Sequence, residues 1–560
     1  MVRADLPSAR PEKGICNPQK VKSGDYKSPI QPRRIANPPK LKMKKLHLIV
    51  LLFLVCRVSA QQVEPVRYEV SRLNKEQGCH FQTLGEGEGI MLYETEKTDK
   101  DKRRLWNFAC LDSSLYEIRS DLIPLPDKIK YFDSHCDGHH ATFLFVNESN
   151  KKAADSLDFI VVSFNRAEKT YQTFWDKWPE KSVPLSVEVV DGTMMMALNN
   201  KSGNGALCFY DLTSNSCRTV TPSSNSYVLF QTEAFSKEHC FVVAAKEFEN
   251  KRFVSTSFLV YSSTGNLQES YHYENIPNAA LGRMVFRFDE NRNLVVIGTL
   301  ERETGRKVNL EGVTENFDKE SVGVVWMRFI SGVPDSKVYL FKDMPEIEHA
   351  LTASDRVRLR EEKLKLSKNQ KATKGEIAFQ FWTPRLTDFN DLTIFAAEAF
   401  MPYYHTETRM NYGYYGYYGG YPYTYTVFDG YDFFSEILLA FDHDGHLRWQ
   451  QSVKFDNELT FDLFPHASEG ICYDELVVAS PYRNKLRYTA FDALGQPLMN
   501  LQEEKLSPIY GADYVEDEYF AQLATWYGTR FLVFGSQIIQ NGSQPKPTRT
   551  VFYLQKVQYD

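Results

Sequence analysis

Within "HCDGHH", His135, Cys136, Asp137, His139 and His140 crowd side chains that can ligate a transition metal. Imidazole and thiolate suit zinc or copper. Adjacent residues of an extended strand face opposite ways, so His139 and His140 cannot easily share one ion. A metal site also needs ligands from elsewhere, and the sequence marks none. The stretch therefore reads as a polar turn, with His135, Cys136, His139 and His140 as its candidate ligands. No metal or cofactor is indicated.

"DHDGH" (442–446) and "DENRN" (289–293) place oxygen donors at alternate positions, as calcium loops do. Neither continues to a distal glutamate, so each is expected to be a hairpin turn. "GEGEG" (85–89) puts negative charge where a nucleotide phosphate would lie and opens no helix. Gly-x-Ser-x-Gly, His-Glu-x-x-His and Cys-x-x-Cys are all missing from the sequence. Sequons at Asn147, Asn200 and Asn541 are incidental in a bacterial host.

The densest recognition-type chemistry is "NYGYYGYYGGYPYTYTVFDGYDFF", Asn411 to Phe434. Tyrosine offers broad contact area, low entropy cost and a hydrogen-bonding tip. Glycines at 413, 416, 419 and 420 break up the first half, while "YTYTVF" alternates and places Tyr423, Tyr425 and Val427 on one strand face. A Tyr/Gly-rich loop over 402–422 is expected, with Tyr414, Tyr415, Tyr417, Tyr418 and Tyr421 as candidate ligand contacts.

The elements that must carry these residues are strands. "FIVVSF" (159–164), "FVVAA" (241–245), "LVVIGTL" (294–300), "VGVVWMRFI" (322–330) and "FLVFG" (531–535) are short, β-branched or aromatic, and bounded by turn residues. A strand, turn, strand phrase recurs, as in "LLAFDHDGHLRWQ", "YTAFDALGQPLMN" and "FLVYSSTGNLQES". Anchored on Phe164, Tyr210, Tyr261, Phe329, Phe441 and Phe491, it gives gaps of 46, 51, 68, 112 and 50 residues. A unit of about 50 residues lies in the range of propeller repeats. The gap of 112 reads as two units plus an insertion, with "FAAEAF" (395–400) supplying a strand. The fold expected is all-β, a β-propeller of about seven or eight blades; a pair of packed β-domains is the competing architecture. A charged segment, Met344 to Glu376, carries only a partial apolar stripe and is expected to be an exposed helical insertion.

The start of the chain speaks to compartment. "MKKLHLIVLLFLVCRVSAQQ" has a basic start at Lys44 and Lys45, an apolar run and small residues at Ser59 and Ala60, the pattern of a cleaved signal peptide over 43–60. The apolar run is short for a bilayer crossing, which needs about 20 residues. Residues 1–42 are Pro-rich and basic, a disordered extension or the product of a start assigned upstream of Met43. Residues 61–560 form the propeller domain. Residues 1–60 hold 13 Lys and Arg against 3 Asp and Glu, leaving 53 basic and 69 acidic residues, so the charge goes from −6 for the whole chain to −16. An acidic domain repels phosphate backbones, which argues against nucleic acid as a partner. No further segment of spanning length follows, so no integral membrane span is expected after cleavage. Seven cysteines remain, an odd number and too sparse for a disulfide framework. Cys208 and Cys217 flank "YDLTSNS" and could meet across a hairpin; buried free thiols are the alternative.

The stretch "VFDGYDFFSEILLAFDHDGHLRWQQSVKFDNE" (427–458) resembles a group of uncharacterised exported proteins of Bacteroidota, in which a tyrosine-rich loop precedes an "FDGY" phrase and a strand ending in "FD.DG.L.W". The resemblance extends over about residues 285–460. It includes "VVIGTLERETG" (295–305) and "SVGVVWMRFI" (321–330). It implies a propeller-like envelope protein and brings no activity, substrate or catalytic residue. The extension before the signal is atypical, and Phe433 and Phe434 replace a more polar run.

Two functions follow as expectations. One is a non-enzymatic binding or scaffold module, exported to the periplasm, the outer envelope or the medium, that recognises protein or glycan. The alternative is an exported glycan hydrolase or lyase whose carboxylates stand on propeller loops. Ionisable residues converging in a deep pocket would favour the enzyme, and a broad aromatic face the binding module.

Overall fold

The computed structural model divides into Met1–Glu64 and Pro65–Asp560. It describes residues 67–559 apart from 73–77, 128, 148–157, 179–181, 201–203, 223–225, 250–251, 275–278, 304–307, 311–312, 316–318, 345–346, 348–378, 412–420, 462 and 542–547. The signal segment and the extension before it therefore lie outside the described residues.

Eight four-stranded antiparallel sheets follow one another along the chain. Blades 1 to 4 occupy 79–125, 129–176, 182–220 and 226–274; blades 5 to 7 occupy 280–340, 380–460 and 468–505. The first strand of each blade lies beside the first strand of the next, from Cys79–Gly85 round to Asp513–Tyr527 of blade 8 and back. These are the inner strands of a closed eight-bladed propeller. Blade 8 takes its three inner strands from the C-terminus, Asp513–Tyr527, Arg530–Asn541 and Thr548–Gln558. Its outer strand is Arg67–Arg72, in register from Arg67↔Gln555 to Arg72↔Thr550. The two ends of the domain thus close the ring on each other, which covers edges that an open sheet would expose.

The middle strands of each blade are packed on both faces, which is why they read as continuous apolar runs rather than alternating ones. Phe433 and Phe434 show the consequence: both are buried, Phe433 in the core shared with blade 7 and Phe434 in the core shared with blade 5. Each ring contributes about 1.5–3 kcal/mol by leaving water, so a polar run would not serve here.

The recurring phrase has a physical basis. All six anchor residues sit near the ends of third strands, and where an aspartate follows, at Asp211, Asp442 and Asp492, it caps the turn. Asp442 Oδ1 accepts the N–H groups of Asp444 and His446 at 3.0 and 2.8 Å, and Asp492 repeats this with Leu494 and Gln496. The glycine after it takes φ +77° at Gly445 and +74° at Gly495, and a Cβ there would meet Trp326 at 2.1 Å or Trp449 at 2.6 Å. Each turn is therefore seated on an indole of the neighbouring blade, and only glycine fits both demands.

Two expectations need correction. The gap of 112 residues is a single blade pitch lengthened by insertions, because Phe329 and Phe441 belong to the third strands of consecutive blades. Of the charged segment 344–376, only Met344 and Ile347 are described, and both are buried between blades 5 and 6. The expected helical insertion is not seen, since its remaining residues lie outside the described ones. Just before it, Phe341–Asp343 forms a 3-10 turn. No helix among the described residues is long and apolar enough to cross a membrane.

Candidate functional site

Blade 6 departs from the other seven. Its second and third strands, Leu392–Asn411 and Tyr421–Phe441, run 20 and 21 residues, against 7 to 12 for the corresponding strands elsewhere. They stay paired to Asn411↔Tyr421, whereas the outer strand stops at Tyr431↔Thr460. Beyond that point a two-stranded ribbon continues for about 30 Å at the rise of a β-strand. This corrects the loop expected over 402–422: residues 402–411 and 421–422 are strand. "PYYHTETRMN" lacks glycine and is rich in tyrosine and threonine, which favour pleated backbone. Tyr414, Tyr415, Tyr417 and Tyr418 lie outside the described residues, and Tyr421 begins the returning strand.

A row of rings anchors the ribbon to the blade. Phe433 and Phe400 stack at 5.3 Å, Tyr431 meets Phe400 at 5.7 Å, Phe428 meets Tyr431 at 5.0 Å, and Tyr404 meets Phe428 at 5.4 Å. Further out the ribbon is polar. His405 Nδ1 sits 2.6 Å from Asp429, its Nε2 3.3 Å from Glu407, and Glu407 meets Arg409 at 3.4 Å. The hydrogen bond to Asp429, then that to Glu407, raises the His405 pKa. A tight register shift between Tyr403 and Tyr404, opposite Asp429, aims this carboxylate at the histidine.

Loops between second and third strands open on the same face as the connections from blade to blade, because neighbouring strands alternate in direction. Blade 5 adds a small hairpin on that face, Val308–Leu310 with Val313–Glu315, which rests against Tyr421–Phe441. The charged segment leaves blade 5 there too, after Val333–Leu340. Among the described residues, the ribbon and the small hairpin thus rise from two adjacent blades.

Beneath the ribbon lies a buried charge cluster. Arg385, on the inner strand Gln380–Phe389, reaches Glu469 of blade 7 with Nε at 2.9 Å and Nη2 at 2.6 Å, Glu398 with Nη1 at 3.1 Å, and also Glu436. The three carboxylates are almost wholly buried, while the Arg385 side chain keeps 25% of its surface. A bulge between Trp382 and Arg385 turns the guanidinium inward and holds Thr383 at φ +39°, a strained value for a β-branched residue. Glu398 also accepts the N–H groups of His466 and Ala467 at 2.9 and 3.1 Å, fixing the entry to blade 7. Burial, then the Glu469 charge, drives the Glu436 pKa well up, so Glu436 takes up a proton more readily than an ordinary glutamate. Burial also pushes on Glu469, but Arg385 outweighs it and holds that carboxyl at about 2. Among the described residues, Glu436 Oε2 and His466 Nε2 have no hydrogen-bond partner.

A neutral and an ionised carboxyl side by side have the electronic character of an acid and base pair. Their oxygens are sealed, however, and a substrate cannot reach them. The cluster can hold a proton and join two blades. The sequence did carry a signal for it, since "FAAEAF", "SEILLAF" and "HASEGI" each set one glutamate inside an apolar run.

The proposed metal residues do not converge. His135 Nδ1 accepts the Val189 N–H at 3.1 Å and Nε2 faces Glu188 at 3.4 Å, and burial lowers its pKa to about 4. Cys136 Sγ accepts the Gly138 N–H, and Asp137 Oδ1 accepts those of His139 and His140, making this the expected polar turn. His139 is exposed on that turn and His140 borders Gly192. Among the described residues no group of histidine, cysteine and carboxylates could hold a metal ion. Residues of the same inner strands staple blade to blade instead: Asp133 accepts from Val187, Gln231 from Met284, and Glu233 from Phe286. Inner strands lack a strand partner on one edge, and these side chains satisfy their N–H groups. Burial pushes Asp133 up to about 6 and Glu233 up to about 7. Both calcium-like stretches are turns, with Asp289 capping Asn291 and Asn293 as Asp442 caps its own. "GEGEG" is the first turn of blade 1, where Glu86 and Glu88 pair with Arg166 of blade 2 at 3.2 and 3.0 Å.

No protein-family profile matches the sequence, and no curated protein is similar to it. Solved structures do share features of its shape. The β-propeller domain of the Trilobed protease from Pyrococcus furiosus aligns over 78% of this chain and 96% of its own, at 7% identity and TM-score 0.32. A dihydro-heme d1 dehydrogenase aligns over 88% and 79%, at 10% identity and TM-score 0.41. A structure from a study of two prolyl endopeptidases aligns over 90% and 59%, at 9% identity and TM-score 0.34. The propeller assignment rests on the sheet order of the chain itself.

Proposed function

We propose that this chain is an exported, non-enzymatic propeller of the cell envelope that binds a protein or glycan partner through the face built by blades 5 and 6. The observation that carries this reading is the paired extension of the two blade 6 strands well beyond their sheet. No packing need of the propeller explains it, since seven blades close without one. The ribbon offers a ring-anchored base and, beyond it, exposed polar residues such as His405, Thr408 and Arg409, a mixture suited to wet, hydrogen-bonding recognition. The Glu436 and Glu469 pair is sealed from substrate, which weighs against hydrolysis or lyase chemistry at that pair. The signal pattern over 43–60 and the resemblance to exported Bacteroidota proteins support the envelope.

Replacing residues 404–428 by an Asn-Gly turn should abolish retention on envelope protein fractions and glycan panels without moving the melting midpoint. Undiminished retention by the trimmed protein would refute the proposed role of this face. N-terminal sequencing of protein recovered from the envelope or medium should begin just after Ala60, and an uncleaved chain in the cytoplasm would refute export.

A further inference from the structure

We propose that Cys217 and Cys208 of blade 3 form a reversible dithiol, in which exposed Cys217 attacks disulfides and buried Cys208 resolves the mixed disulfide that results. Cys208 lies on the third strand of the blade, Gly205–Asp211, and Cys217 on the outer strand, Ser216–Val220, with Tyr210↔Cys217 and Cys208↔Thr219 as register partners. The two thiols therefore share one face on a diagonal. Tyr210, opposite Cys217 in the register, donates its hydroxyl to Asp176 at 3.4 Å, and Thr219 Oγ1 lies 3.6 Å from Cys208 Sγ.

Accessibility separates this pair from the other described thiols. Cys217 is exposed, whereas Cys110, Cys240 and Cys472 are buried and Cys79 and Cys136 partly so. Burial pushes the thiol pKa up to about 12 at Cys79 and Cys240 and about 11 at Cys472. Cys217 moves the other way. The neighbouring Cys208 first, and Tyr210 after it, hold its thiol down at about 6 against burial and the Asp176 charge. A thiolate is the attacking species in exchange, so Cys217 alone is poised to start it.

The steps balance without further reactants. The Cys217 thiolate attacks one sulfur of a small disulfide and expels the other half as a thiolate. The Cys208 thiol then loses its proton to that thiolate and attacks Cys217 Sγ, releasing the second half. The protein loses two hydrogens and the small disulfide is reduced to two thiols. A diagonal pair is wider than a directly opposed one, so closure must draw in the outer strand. That strand is short and solvent-exposed over four of its five residues, and it can move. Such a bond is readily reduced again.

The test treats the purified full chain with glutathione disulfide, alkylates remaining thiols and maps the tryptic peptide spanning 202–218. The expected product is that peptide unlabelled at both cysteines and lighter by two hydrogens, restored by a reductant. Cys208→Ser should instead hold glutathione on Cys217, and Cys217→Ser should leave Cys208 reduced and unlabelled until unfolding. Circular dichroism confirms that each variant is folded, and Cys217→Ser, being on the surface, keeps the test valid if Cys208→Ser is not. Full labelling of Cys217 after oxidation of the wild type, or stable glutathionylation of the wild type with Cys208 left free, would overturn the proposal.

Discussion

Blades 6 and 8 each gather buried charge around one arginine, and they do so to different ends. In blade 8, Arg67 lies on the Tyr553 ring at 4.2 Å and donates to Glu69, Gln555 and Gln537 at 2.8, 3.0 and 2.8 Å. Glu518 closes the circuit by accepting from Gln537 and Tyr553, while Arg549 pairs with Glu69 at 3.1 Å and Asp513 at 2.5 Å. Two arginines thus answer three carboxylates across strands from both ends of the chain, and the network works as a clasp. In blade 6 a single arginine answers three carboxylates, and the surplus charge favours protonation of Glu436. Buried charges are tolerated when paired and costly when not. The clasp offsets most of its charge by composition, with two arginines to three carboxylates, whereas the blade 6 cluster has one arginine, His466 Nδ1 at 3.3 Å from Glu398, and a glutamate whose pKa is driven up.

The largest effect that could sharpen the contrast is Arg385→Met. Three glutamates would be stranded, costing about 3–5 kcal/mol at neutral pH in denaturant titration. The loss should shrink in acid, where the carboxyls protonate. Arg67→Met should cost about 3 kcal/mol, as charged hydrogen bonds are lost but Arg549 remains on Glu69. Hydrogen exchange should rise first in blade 8. If Arg67→Met cost more than Arg385→Met, the contrast between the two networks would fail.

Next come the glutamates, whose pH slopes are opposite. Glu469 has a depressed folded pKa, so its stabilisation is present above the ordinary glutamate range and vanishes as pH falls toward about 2. Glu469→Gln should therefore cost about 2 kcal/mol at pH 7 and little near pH 2. Glu436 has a raised folded pKa, so the native protein binds its proton more tightly and loses stability as pH climbs above the ordinary glutamate range. Glu436→Gln should change stability by less than about 1 kcal/mol at pH 4 and become relatively more stabilising as pH rises. Parallel pH profiles for the mutant and wild type would show that Glu436 is not the group holding the proton. The smallest effect belongs to the ribbon. His405 gains charge partners that hold its pKa up, so their contribution is present in acid and lost as pH rises through the folded value. Because it is exposed, His405→Ala should leave the melting midpoint unmoved at pH 8 and lower it only marginally at pH 5.

The blade repeat was legible because it is local. The clearest turns pair an aspartate cap with a left-handed glycine, and each middle strand needs apolar residues on both faces, so Phe441, Asp442 and Gly445 announce themselves in order. The metal-like and calcium-like stretches were read correctly as turns for the same reason. The ribbon was misread as a loop because the glycines at 413 to 420 dominate its centre, while its strandedness depends on a partner 10 or more residues away, Asn411↔Tyr421 to Tyr403↔Gly430. The charge cluster was hidden in plain view: Glu398 stood within a run scored as an apolar strand, and nothing nearby in sequence names Arg385 or Glu469 as its partner.

The sequence by itself therefore determined an all-β repeat of about 50 residues, its turn chemistry and an acidic domain behind a signal-like segment. Those properties come from side chains acting on their own backbone or within a hairpin. Tertiary structure alone decided that there are eight blades, that the first strand completes the last, that the ribbon and the small hairpin rise together on blades 5 and 6, and that Arg385 meets three glutamates. Each of these joins residues distant in the chain, and the free energy of such a meeting depends on burial and on the balance of charge brought together, neither of which a linear pattern contains.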